Sequence, residues 1–124
     1  MKGQIRDSEN YIKCKVVLLG NKAVGKTSII NRYTRNIFKE NIMMTPGPNF
    51  VLKKVEFPEE NEKIRFEIWD TAGQERYRAL AKQFYKNASS CVLVYDITEK
   101  SSFDDIKNYW VNELKDNAPK NTSM

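Results

Sequence analysis

One short segment constrains this chain more than any other: Gly20-Asn21-Lys22-Ala23-Val24-Gly25-Lys26-Thr27, which spells Gly-x4-Gly-Lys-Thr. It follows Lys13 to Leu19, a run ending in four consecutive apolar residues, as expected of a central strand buried on both faces. It precedes a helix expected from about Gly25 to Arg35, with Ile29, Ile30 and Tyr33 on one face. Between such a strand and such a helix, Gly20 and Gly25 permit a tight backbone path. That path turns successive amide N–H groups onto phosphate oxygens, reinforced by the helix N-terminus. The Lys26 ammonium then bridges outer phosphates and the Thr27 hydroxyl is a magnesium ligand. Asn21, Lys22, Ala23, Val24 and Ser28 complete the expected phosphate cradle.

The rest of the chain supplies a sheet to carry that loop. Asn36 to Asn49 has no clean period and contains Pro46, Gly47 and Pro48, so it reads as a loop. Phe50 to Phe57 and Lys63 to Trp69 are strand-like, and the short link Pro58 to Glu62 implies an antiparallel hairpin. Ile64, Phe66 and Ile68 alternate with Lys63, Arg65 and Glu67, the pattern of an outer strand with one charged face. A helix is expected from about Arg76 to Lys86, with Tyr77, Leu80, Ala81 and Phe84 on one side, then a buried strand from Cys91 to Ile97. Ser102 and Asp105 resemble a capping box opening a helix that turns Ile106, Trp110, Val111 and Leu114 inward and stops at Asn117-Ala118-Pro119. This alternation predicts an α/β fold, a doubly wound and mostly parallel sheet with helices on both faces and ligands at the carboxyl ends of its strands. Asp70 ends the strand Lys63 to Trp69 at that edge, placed to hold magnesium, and Gly73 can bring its N–H to a terminal phosphate.

Composition removes several chemistries. No histidine is present, which excludes Ser-His-Asp and Cys-His nucleophiles, imidazole acid–base catalysis and His-ligated zinc. Cys14 and Cys91 lie in apolar runs and read as small buried thiols. The longest apolar run is only about five residues, far short of a membrane span. A net charge of +5 is spread along the chain without the clustered stripe that nucleic-acid binding requires. At 124 residues one domain is expected, with residues 1–12 as a polar extension and 120–124 as a tail.

Trp69-Asp70-Thr71-Ala72-Gly73-Gln74-Glu75-Arg76-Tyr77, together with the Gly20 to Thr27 loop and Val94-Tyr95-Asp96-Ile97-Thr98, resembles the small GTPases of the Ras superfamily, and among them the Rab group. The resemblance covers about Lys13 to Pro119. It implies a P-loop NTPase fold, a partial Ras-like sheet of the first four strands with three helices, and a partial G domain over residues 13–119. It implies GTP or GDP and Mg2+ as ligands and a slow hydrolysis that depends on an activating protein, since no arginine finger is supplied in cis. It assigns Thr45 to magnesium and the terminal phosphate, Phe38 to the base edge and Gln74 to the attacking water. Arg76 is then a partner contact on the switch surface. Phe50, Trp69 and Phe84 fall at the Rab aromatic triad, with Phe84 in place of the more usual Tyr. Exchange factors, activating proteins and effectors are the implied partners, in membrane traffic on the cytoplasmic side of endomembranes.

Some residues depart from that pattern. Lys22 stands where the loop is usually small and is expected to crowd Gln74 or point to solvent, and Pro46 and Pro48 flank Gly47 in the first switch, each removing a backbone donor. The Asn-Lys-x-Asp base-reading motif, the Ser-Ala-Lys-like loop and a C-terminal prenylation cysteine do not occur. The sequence thus reads as a C-terminally truncated family member without its own membrane anchor, whose strand Cys91 to Ile97 becomes an exposed edge. The alternatives are a non-hydrolysing nucleotide- or effector-binding relative and a P-loop protein of other nucleotide specificity.

Overall fold

A computed structural model describes residues 5–36, 49–71 and 85–124. Within them lie strands β1 (Ile12–Leu19), β2 (Asn49–Phe57), β3 (Glu62–Asp70) and β4 (Ser90–Leu93). They form one sheet in the order β2-β3-β1-β4. β1 runs parallel to β3 and β4, and β2 pairs antiparallel with β3. Helix α1 (Lys26–Arg35) follows the loop after β1. The expected α/β sheet and its hairpin are therefore present. The hairpin turns through a short 3-10 segment, Pro58–Glu60, closed by Asn61 in the left-handed region.

β3 is an inner strand, not the outer one that its alternation suggested. On its charged face the row across β1 and β3 runs Lys13 beside Arg65, Lys15 beside Glu67 and Val17 beside Trp69, so it is ionic at the amino end and apolar at the carboxyl end. The N-terminal residues make that ionic end tolerable. Asp7 Oδ2 accepts from Arg65 at 3.0 Å, Arg6 pairs with Glu62 at 3.2 Å, Lys54 with Glu9 at 3.1 Å, and the Tyr11 hydroxyl donates to Glu56 at 3.0 Å. Residues 5–11 are thus tied into the fold. The Tyr11 amide, with help from the Glu9 amide and from Arg65, holds the Asp7 carboxyl below its usual 3.8 despite the cost of desolvation. A carboxyl depressed in the folded state contributes stability above its unfolded value and loses it as pH falls through the folded one. As pH falls below the ordinary carboxylate value and through the lower folded-state one, the arm is expected to release before the sheet melts, and Asp7→Asn to remove that step. Hydrogen exchange at the Tyr11 amide through an acid titration measures it, and protection of that amide that lasts until the sheet itself unfolds in acid would contradict it.

β4 is shorter than the apolar run Cys91 to Ile97 implied. The Val94 amide makes the strand's last bond, to the Leu19 carbonyl at 2.8 Å. Asp96 then accepts from the amide and hydroxyl of Thr98, at 2.8 and 2.7 Å, which turns the chain and leaves Ile97 88% exposed. The following helix begins at Lys100 without a side-chain cap. Ser102 sits inside its first turn, accepting from the Asp96 amide and donating to the Glu99 carbonyl, so the expected capping box does not form. The helix runs as α2 (Lys100–Asp105), a π-helical turn (Ile106–Trp110) and α3 (Val111–Asn117). Ile106, Trp110 and Leu114 point inward as expected, against Val17, Leu19, Tyr85, Ala88 and Cys91.

On the opposite face Leu18, Ile30, Ile68 and Val94 form a second cluster. Ile29 and Tyr33, expected in the core, are 48% and 51% exposed, because α1 turns only Ile30 fully onto the sheet. With Val16, Phe66 and Val92 they border an apolar groove of about 240 Å³. The outer edge of β4 is partly covered, contrary to expectation: Ser123 bridges Ser90 in parallel, the Cys91 amide donates to the Ser123 carbonyl at 2.8 Å, and Thr122 Oγ1 donates to the Ala88 carbonyl. Cys91 is buried and free, its thiol pushed up to about 11 by desolvation, and Cys14 is half-buried. The helix expected over Arg76 to Lys86 lies outside the described residues except at its end. There Tyr85 is fully buried and its hydroxyl donates to Glu113 at 2.7 Å. Among the described residues no helix is long and apolar enough to cross a membrane.

Candidate functional site

The strand register brings the site together. Leu18 lies opposite Asp70, so the loop after β1 and the carboxylate ending β3 reach the same edge of the sheet. Gly20 leaves β1 at φ +150, and a Cβ there would stand 2.2 Å from the Val94 carbonyl oxygen. The loop needs glycine at that point because β4 passes beneath it. Ala23 adopts φ +62, uncommon for a residue with a side chain, and Gly25 at φ +105 caps α1. Lys26 is 2% exposed. Its Nζ donates to the Gly20 carbonyl at 3.0 Å and the Asn21 carbonyl at 2.7 Å, which holds a cation at the centre of the loop.

Thr27 Oγ1 donates to Asp70 Oδ2 at 2.5 Å. Asp70 is 5% exposed, and next to it the Thr71 hydroxyl donates to the Leu18 carbonyl at 2.6 Å, tying the end of β3 to β1. A hydroxyl and a carboxylate side by side are hard oxygen donors, and a magnesium ion needs few protein ligands because it retains water. The pair fits Mg2+. Among the described residues no group of three or more His, Cys, Asp or Glu is placed to hold a metal ion.

Of the residues singled out from sequence, the structure gathers Gly20, Asn21, Lys22, Ala23, Val24, Gly25, Lys26, Thr27, Ser28 and Asp70 around one edge. Lys22 is exposed, whereas Val24 packs on the second core cluster. Phe38, Thr45, Gly73, Gln74, Arg76 and Phe84 lie outside the described residues, as do Pro46 and Pro48. Phe50 stacks on Trp69 with ring centroids 4.7 Å apart and remains 47% exposed, so two aromatics of the expected triad form one surface. Lys15 lies over the Trp69 ring at 5.0 Å. Sequence reasoning missed Asp105, whose Oδ2 accepts from Asn21 Nδ2 at 2.7 Å. No local signal links residues so far apart.

The sequence profile of the Ras family matches residues 15–124. The chain belongs to the Ras family. This Ras-family chain is 47% identical to human "Ras-related protein Rab-22A" over 107 residues, which are 86% of the chain and 54% of that protein. It is 47% identical to rat "Ras-related protein Rab-31" over 110 residues, 89% of the chain and 55% of the relative. It is 43% identical to the fission yeast "GTP-binding protein ypt3" over 115 residues, 93% and 52% of the two chains. The Rab-like resemblance is borne out, as is the partial Ras-like sheet. The chain spans about half the length of these relatives.

Proposed function

We propose that this chain is a Rab-like small GTPase, a GTP-binding and slowly GTP-hydrolysing switch in membrane traffic, with residues 13–119 as its nucleotide-binding unit. The observation that carries the proposal is the contact of the Thr27 hydroxyl with the Asp70 carboxylate beside the buried Lys26. The loop amides from Asn21 to Ser28 and the start of α1 take the phosphates. Lys26, now parked on two loop carbonyls, turns its ammonium to the outer phosphates. Thr27 and Asp70 would hold Mg2+, joined by Thr45; the ion supplies neutralisation of phosphate charge. Phe38 packs on the guanine edge, the Gly73 amide donates to the terminal phosphate and Gln74 orients the water that displaces GDP from that phosphate. The stacked Phe50 and Trp69, with Phe84, offer effectors an aromatic surface, while exchange factors and activating proteins engage the switches. The place of work is the cytoplasm, where family members attach to endomembranes.

Denaturing the purified protein and chromatographing what it releases tests this reading. GDP or GTP is expected, and dissociation of a fluorescent GDP analogue is expected to quicken when EDTA removes Mg2+, because the phosphate charge then loses its neutralising cation. Asp70→Asn is expected to release nucleotide quickly in either buffer. Retention of ATP, or of nothing, would overturn it.

A further inference from the structure

The phosphate loop is held from outside as well as from within. Asn21, half-buried and the second residue of the loop, donates through Nδ2 to Asp105 Oδ2 at 2.7 Å, while its own carbonyl accepts from Lys26 Nζ at the same distance. Asp105 is the last residue of α2. The next residue, Ile106, and Trp110 one π-helical turn on are buried against Val17 and Leu19 of β1. The strand that delivers the loop therefore also fixes the helix that carries Asp105. A hydrogen bond to a carboxylate is among the stronger ones available to a side-chain amide. It ties a loop that contains left-handed Ala23 and two positive-φ glycines to a rigid post.

We propose that Asp105 is a positioning residue for phosphate binding. Through Asn21 it fixes the loop carbonyl that parks the Lys26 ammonium, so the loop meets a nucleotide already shaped and loses less freedom on binding. The proposal rests on the nucleotide-binding reading above. It runs against simple electrostatics, because a carboxylate near the loop repels phosphate. If charge were its whole effect, removing Asp105 would tighten binding.

Three variants of the full chain separate the roles, with Mg2+–GDP affinity and thermal melting read together. Asp105→Ala is expected to weaken GDP binding about tenfold, the worth of one hydrogen bond to a charged group. Asp105→Asn, which keeps an acceptor oxygen and loses the charge, is expected to recover most of that affinity. Asn21→Ala combined with Asp105→Ala is expected to be no weaker than Asn21→Ala alone, since the two groups act as one. Tighter GDP binding by both Asp105 variants would overturn the proposal in favour of bare charge. A lowered melting temperature with unchanged GDP affinity would overturn it in favour of a purely structural contact. If the wild-type chain binds no GDP, the nucleotide reading and this inference fall together; if it binds and Asp105→Ala binds equally well, only this inference falls.

Discussion

Gly20→Ala is expected to destabilise the fold by about 3 kcal/mol or more and to lower its melting temperature by roughly 10 °C or more. The added methyl would stand 2.2 Å from the Val94 carbonyl oxygen and 3.2 Å from its carbon. Neither atom is the end of a flexible side chain that can swing aside. The Val94 amide is bonded to the Leu19 carbonyl at 2.8 Å, so moving Val94 away breaks the last bond between β1 and β4. Moving the loop instead displaces the Gly20 carbonyl that holds Lys26. Gly25→Ala is the contrast. Its φ of +105 strains a side chain, yet nothing lies within 4 Å of the new methyl, so the cost is about 1–2 kcal/mol of backbone strain. Urea and thermal denaturation of the two variants, compared with wild type, check the order; a Gly20→Ala protein within 1 kcal/mol of wild type would show that β4 yields.

Lys26→Ala is expected to reduce guanine nucleotide affinity by about a hundred- to ten-thousandfold with a far smaller change in melting temperature. Hydrogen bonds from a cation to phosphate oxygens are worth about 1.5–3 kcal/mol each, and two of them give that range at 1.4 kcal/mol per factor of ten. Within the loop the same ammonium is met by two carbonyls, at 3.0 and 2.7 Å, and Lys26 is 2% exposed. Its burial is costly and its bonds offset that cost, so removing both together leaves folding stability little altered. Isothermal titration with Mg2+–GDP and Mg2+–GTP measures the affinity. A loss below tenfold would show that the loop amides and the helix terminus carry the phosphates without the lysine.

Local sequence rules read the phosphate loop well because its chemistry is local. Gly20 to Thr27 turns, caps the helix and folds its lysine back within eight residues, and the preceding apolar run marks a strand buried on both faces. The hairpin of β2 and β3 was equally legible, since so short a link leaves two strands no partner but each other. Where several groups from distant segments compete, local pattern misled. Arg65 and Glu67 looked like the wet face of an edge strand, but Asp7 and the arm around it neutralise that face, which allows β3 to lie inside the sheet. Ile97 extended an apolar run that looked like a strand, but the Asp96–Thr98 turn diverts the backbone after Leu93. Ser102 and Asp105 had the spacing of a capping box, yet one serves the turn before the helix and the other the phosphate loop.

The sequence by itself determined the family, the strand–loop–helix that presents Lys26 and Thr27, and the place of the Asp70 carboxylate at the end of its strand. These follow from residue type at short spacing, where backbone sterics and hydrogen bonding within a few residues dominate. Only the tertiary structure decided that Gly20 is required by the carbonyl of Val94, that the N-terminal arm completes the charged end of the sheet, and that Asp105 braces Asn21. Each of those is a contact between segments far apart in the chain. Such contacts exist because parallel pairing of β1 with β3 and β4 sets the register, and register is a property of the sheet rather than of any one strand.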